Sequence, residues 1–105
     1  MEFRQIQYFV ALYEERSVTR AARRLNIVQP ALSMQIARLE TELGRPLFER
    51  NPRGVEPTPL GRQMYRLYLP LLREFASARE RLMDGGGEMQ GHVSVGMIAS
   101  IALGV

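Results

Sequence analysis

The sequence has 105 residues, 46% of them apolar, and a formal net charge of +3. That length holds one small domain and an extension, not two complete domains. The absence of cysteine excludes a disulfide framework and thiol chemistry. The amphipathic start Met1-Glu2-Phe3-Arg4-Gln5 is no secretory signal and no apolar run approaches membrane-spanning length, so cytoplasm is expected and membrane contact is not.

All 14 cations are arginine, and residues 1–58 hold nine Arg against seven Glu. With so slight an excess, attraction to a polyanion must rest on where the arginines stand. Composition alone would leave them on an ordinary solvated surface.

Phe3 to Arg16 reads as an opening helix whose Phe3, Ile6, Phe9, Val10 and Tyr13 share one stripe, expected to be core. Ser17 then stands where a hydroxyl caps a second helix, with Val18, Ala21, Ala22 and Leu25 at i, i+3, i+4 and i+7. Its polar side carries Arg20, Arg23 and Arg24. Asn26-Ile27-Val28 breaks the pattern, and a third helix starts at Gln29 or Pro30, where an early proline removes no intrahelical donor.

The third helix has two faces. Leu32, Ile36, Leu39 and Leu43 point inward by their spacing, while Gln29, Ser33, Met34, Ala37, Arg38 and Thr41 point outward. The N-terminal half of the outer face is small or amide-bearing, so it can approach a surface closely. Glutamine can pair bidentately with adenine, and serine can donate to a base or a phosphate. Gly44 is the expected left-handed end of the helix. Two helices joined by a tight turn, the second with a reading face, form a helix-turn-helix; an ordinary pair of packed helices is the alternative on this stretch alone.

Beyond Arg45-Pro46, the short runs Leu47-Phe48-Glu49-Arg50 and Val55-Glu56-Pro57 flank Asn51-Pro52-Arg53-Gly54, a turn signal with proline at its second position. This predicts a two-stranded wing with Arg53 at its tip, where a guanidinium can enter a narrow A·T-rich minor groove. Thr58-Pro59 opens a further helix, with Leu60, Met64, Leu67, Leu71, Phe75, Ala78 and Leu82 in a near-heptad stripe. To Asp84 it would run about 39 Å. Pro70 is expected to kink it near 66–70 without breaking it, because the stripe stays in phase. Arg62 and Arg66 near its start, with Glu80 and Asp84 near its end, oppose the helix dipole; a nearby DNA backbone would account for that order.

Gly85-Gly86-Gly87 reads as a flexible hinge. His92-Val93-Ser94-Val95-Gly96 alternates like a strand and Ala99-Ser100 could start a helix, but about 15 residues cannot bury a core, so this tail is expected to be disordered or borrowed into a neighbour. His92 is the sole histidine; with no metal-ligand spacing, no nucleophile beside a base and no phosphate-cradling loop, neither enzyme activity nor a cofactor is expected.

The ordered set Ala21-Ala22, Leu25, Gln29-Pro30-Ala31-Leu32-Ser33, Ile36, Leu39-Glu40, Leu43-Gly44 and Leu47-Phe48-Glu49-Arg50 resembles the N-terminal domain of LysR-type transcriptional regulators, over about residue 3 to the low 80s. The resemblance implies a mainly α fold: a winged helix-turn-helix of three helices and a two-stranded wing, followed by a long dimerisation helix. It divides the chain into a DNA-binding domain over 1–58, a linker helix over 59–84, a hinge over 85–90, and over 91–105 the truncated start of an α/β effector-binding domain. A small-molecule effector is expected only where that last domain is whole.

The implied function is sequence-specific binding of double-stranded DNA in transcription control, reading an inverted repeat as a homodimer or tetramer. The expected DNA contacts are Thr19, Arg20, Gln29, Pro30, Ala31, Ser33, Met34, Arg38, Arg50 and Arg53, with the Leu60-to-Leu82 stripe as the dimer seam. The alternative is a winged-helix interaction module that titrates a full-length regulator without touching DNA. Three residues depart from the family pattern. Arg16 stands where glycine is usual, so a left-handed helix end there would be strained and the turn is expected to close differently. Val28 replaces a capping Ser or Thr, leaving the third helix to start on Gln29 or water. Met34 replaces a common arginine and can offer only apolar contact, for example to a thymine methyl.

Overall fold

The computed structural model describes the backbone of residues 1–92 and the side chains of residues 1–84. The expected strand at 92–96 and helix start at 99–100 lie wholly or almost wholly outside the described residues. The elements are α1 (Phe3–Glu15), α2 (Val18–Leu25), α3 (Gln29–Leu43), β1 (Phe48–Asn51), β2 (Gly54–Pro57) and α4 (Pro59–His92). Two compact units are distinguished among the described residues, one over Met1–Leu71 and one that begins at Leu72.

In the first unit, α1, α2 and α3 enclose a core of Ile6, Phe9, Val10, Leu12, Ala21, Ala22, Leu32, Ile36 and Leu39, joined by Leu47, Val55 and Met64. Each large apolar side chain buried here contributes roughly 1.5–3 kcal/mol relative to exposure. Phe9 is fully enclosed, its ring 5.4 Å from Phe48 and 6.0 Å from Tyr13. The α1 stripe is buried at Ile6, Phe9 and Val10, half-buried at Tyr13 and open at its first residue. Phe3 is exposed, because it opens the helix before the neighbouring helices can cover it, and Ala11 and Leu12 widen the buried face instead. Leu25 and Leu43, at the ends of their helices, are half-buried.

The helix ends show how local chemistry sets the boundaries. Glu2 and Gln5 form a capping box on α1, and the Ser17 hydroxyl accepts from the Arg20 N–H at 3.2 Å to start α2. Asn26 ends α2 in the left-handed region at φ 61°, a conformation asparagine tolerates better than most residues. Val28 precedes α3 with no side-chain cap, as its chemistry requires, and Gly44 closes α3 at φ 76°.

Arg16 corrects an expectation. The turn from α1 to α2 closes in the left-handed way, with Arg16 at φ 57° and its N–H donating to Leu12 O at 2.8 Å. The strain is met by its surroundings: its carbonyl accepts from the Val55 N–H at 3.2 Å and its Nε donates to Tyr13 O at 2.6 Å.

The wing is antiparallel, with Phe48 opposite Pro57 and Asn51 opposite Gly54. Asn51 Oδ1 accepts from the Arg53 N–H at 2.8 Å, which tightens the two-residue turn. At the wing root the Glu40 carboxylate accepts from Leu47 N at 2.7 Å and Phe48 N at 3.2 Å, joining α3 to the lead-in strand. Thr58 caps α4: its hydroxyl accepts from Gly61 N at 3.1 Å and donates to Pro46 O at 2.8 Å. Gly61 sits so close to the chain before the wing that an added β-carbon would lie 2.3 Å from Leu47 O.

Helix α4 continues through Pro70 and past the expected end at Asp84 to His92, with the backbone of 85–87 helical. Propagating an existing helix adds one hydrogen bond per residue fixed, which offsets much of the roughly 1 kcal/mol that each glycine costs. The stretch 85–90, expected as a flexible hinge, is helical in its backbone. Among the described residues, no helix is long and apolar enough to cross a membrane.

Candidate nucleic-acid interface

Helix α3 presents the face that its spacing implies. Gln29, Pro30, Met34, Ala37, Arg38 and Thr41 are exposed, Ala31 and Ser33 half-buried, and Leu32, Ile36 and Leu39 buried beneath them. Met34 is 48% exposed and Val28 68% exposed, so the start of this face is more apolar than its glutamine and serine alone would make it. An open groove of about 670 Å³ runs between α2 and the start of α3, lined by Thr19, Ala22, Arg23, Ile27, Val28, Gln29, Pro30 and Ser33. It brings together four of the expected contacts, Thr19, Gln29, Pro30 and Ser33.

Arg23 and Val28 also line this groove and were not among the expected contacts. The signal for Arg23 was available, since it follows Thr19 by one helical turn and shares its face. Val28 lacks a capping group, and its exposure follows from the extended backbone (φ −80°, ψ 150°) that precedes α3.

The arginines around the helix-turn-helix and the wing differ in whether they are paired. Arg24 bridges Glu14 at 2.8 Å and Glu15 at 3.2 Å, and its pKa is raised, chiefly by the hydrogen bond with Glu14. Arg20, one of the expected contacts, donates to Glu15 O at 2.7 Å and lies 3.7 Å from the Glu15 carboxylate. These two arginines fasten α2 to α1. Arg23, Arg38, Arg45, Arg50 and Arg53 are exposed and make no ion pair among the described residues. Their charge is uncompensated at short range and available to a polyanion.

The α4 stripe also divides. Met64, at 5% exposure, is buried inside the first unit and Leu60 is half-buried, so this end of the stripe serves the chain's own core. Leu67, Leu71, Phe75 and Leu82 are 56–65% exposed, and Ala78 is exposed as well. Among the described residues, no group of three His, Cys, Asp or Glu could hold a metal ion.

The description of the LysR family of bacterial regulatory helix-turn-helix proteins matches residues 3–62. The transcriptional regulator BudR of Klebsiella aerogenes is 44% identical over 97% of the chain and 71% of its own length. A probable cat1 operon transcriptional activator of Acinetobacter lwoffii is 42% identical over the whole chain, which spans 35% of that relative. Among solved structures, a complex of BenM_DBD with catB site 1 DNA superposes with a TM-score of 0.73 at 40% identity, over 90% of this chain and all of that one. A complex of CbnR_DBD with DNA gives 0.72 at 35% identity, over 82% and 99%. The four helices and the two-stranded wing are thus those of a LysR-type DNA-binding domain, and the chain belongs to the LysR family of bacterial regulatory helix-turn-helix proteins.

Proposed function

We propose that the chain reads double-stranded DNA in transcription control, placing α3 in a major groove and the wing in the adjacent minor groove. The observation that carries this reading is the exposed face of α3, where Gln29, Ser33 and Met34 stand near arginines that make no ion pair among the described residues. Gln29 and Ser33 supply the directional hydrogen bonds and Met34 an apolar contact. Thr19, Pro30 and Ala31 let the helix start approach the DNA backbone, and Arg38, Arg50 and Arg53 neutralise phosphates or enter the minor groove. Arg20 contributes charge at the rim while its pairing with Glu15 fixes its direction.

Two copies read an inverted repeat. The exposed Leu67, Leu71, Phe75, Ala78 and Leu82 repeat at the three- and four-residue spacing of a two-helix seam. In this reading Met64, although it belongs to the stripe, supports the seam from within its own domain. A longer form of the protein, carrying a complete α/β domain after 91, would add effector control.

Footprinting of the protein on genomic fragments tests binding and site together: a protected inverted repeat supports the reading, and no protection at low salt sinks it. Arg53→Ala should weaken binding and reduce the salt dependence by about one phosphate contact. If both quantities stay unchanged, the wing does not touch DNA.

A further inference from the structure

The wing is held at its root by buried Leu47, by Phe48 against Phe9, and by Val55. Toward the tip, Arg16 in the turn between α1 and α2 reaches β2 in two ways. Its carbonyl accepts from the Val55 N–H at 3.2 Å and comes within 2.3 Å of the place where a β-carbon on Gly54 would lie. Its Nη1 is 3.3 Å from the Glu56 carboxylate on the outer side of β2. In the other direction, its Nε donates to Tyr13 O at 2.6 Å and its guanidinium lies 4.9 Å from the centre of the Tyr13 ring. Tyr13 in turn stacks on Tyr65 of α4, ring centres 3.9 Å apart and planes 6° from parallel.

We propose that Arg16 is a positioning residue for the wing, and through the wing a determinant of the sequence preferred in the DNA flanking each half-site. This rests on the DNA-reading role argued above. Glycine would supply the left-handed backbone and the same carbonyl at less conformational cost, so the backbone alone does not account for an arginine here. The side chain adds direction. Both members of the Arg16–Glu56 pair are exposed, so their attraction is weak in itself. A planar guanidinium that meets a carbonyl through Nε and a carboxylate through Nη1 nevertheless admits few orientations of β2 relative to α1. Arg53 stands three residues before Glu56 on the same hairpin. The orientation of β2 therefore sets where the Arg53 guanidinium meets a groove, and groove width depends on the local A·T content.

The test uses duplexes selected from random-sequence DNA by the wild-type protein, resynthesised with flanks either all A·T or all G·C. Wild type should prefer A·T flanks by about five- to ten-fold, in the range of one base-pair mismatch. Arg16→Gly should reduce that preference to within about two-fold while its thermal midpoint equals or exceeds that of wild type. Glu56→Gln, which leaves the backbone and Tyr13 contacts intact, should lose part of the preference, and Arg16→Lys should restore part of what Arg16→Gly loses. An Arg16→Gly protein that keeps the wild-type flank preference overturns the positioning role and leaves DNA reading intact. Equal weakening on both flanks with a lowered midpoint would mean that Arg16 only stabilises the fold, which also overturns it. If the wild type enriches no sequence at all, DNA reading fails and this inference fails with it.

Discussion

Apolar residues recur at the same three- and four-residue spacing in α3 and in the later turns of α4, yet their fates differ. Leu32, Ile36 and Leu39 are buried, whereas Leu71, Phe75 and Leu82 are more than half exposed. Periodicity reports that a helix has an apolar face; whether the same chain covers that face depends on which elements pack against it. In the first unit, α1 and α2 converge on α3. In the second, a single helix makes up the described backbone, and a face of that size invites a partner.

The comparison can be broken most forcefully in the core. Leu39→Ala should cost about 2–5 kcal/mol, because Leu39 is fully enclosed and its neighbours relax only in part. Thermal or urea unfolding checks this; a loss below about 1 kcal/mol would mean that the site collapses or fills with water. Leu71→Asp with Phe75→Asp should do the reverse, leaving the unfolding of the first unit nearly unchanged while giving monomers. Affinity for an inverted repeat should then fall about 10²-fold, the scale of a lost bivalent engagement. Should sedimentation show the double variant dimeric at micromolar concentration, the exposed face is not the interface.

A smaller change addresses the junction between wing and helices. Gly54→Ala places a β-carbon 2.3 Å from Arg16 O at φ 141°. The backbone must shift, at a cost of about 1–3 kcal/mol. Faster hydrogen exchange at the Val55 amide would report the shift, and unchanged exchange would show that the contact yields without displacement. The smallest expected effect concerns reading itself. Met34→Arg should raise affinity for random DNA and steepen its salt dependence by about one unit, while narrowing the gap between operator and random DNA. Binding to both duplexes at two salt concentrations decides it. If neither affinity changes, the side chain points away from the groove.

How much of this was legible in the sequence follows from the range of each cause. The Ser17 cap, the Gly44 terminus, the inward leucines of α3 and the wing turn depend on residues within one helical turn or one hairpin, and all four are legible in the sequence. Asn26 carried a usable signal for a left-handed end that spacing arguments passed over. The conformation of Arg16 did not, because one of the contacts that hold it comes from Val55, almost forty residues away. For the same reason the pairing of Arg20 and Arg24 with Glu14 and Glu15 was hidden: it depends on how α1 and α2 cross, which no periodicity specifies. Met64 shows the same limit, since a stripe cannot tell where a helix passes from its own domain's core to an exposed surface. For the candidate contacts, residue type and face were legible, while the place of Arg23 and Val28 in the groove needed the turn between α2 and α3 to be built.

The close approach at Gly61 has a consequence for how this protein can vary. At most buried positions a larger side chain meets other side chains, which move aside by degrees, and tolerance falls off gradually with size. At Gly61 the first atom beyond Cα would meet a backbone carbonyl that already accepts the Thr58 N–H at 2.9 Å. The position therefore behaves as a threshold: alanine and leucine should fail alike. Leu60 and Arg62 on either side, half-buried and exposed, remain open to gradual replacement. Drift in the first turn of α4 would run around this one residue, keeping the start of the helix pinned to the root of the wing while the surrounding surface changes.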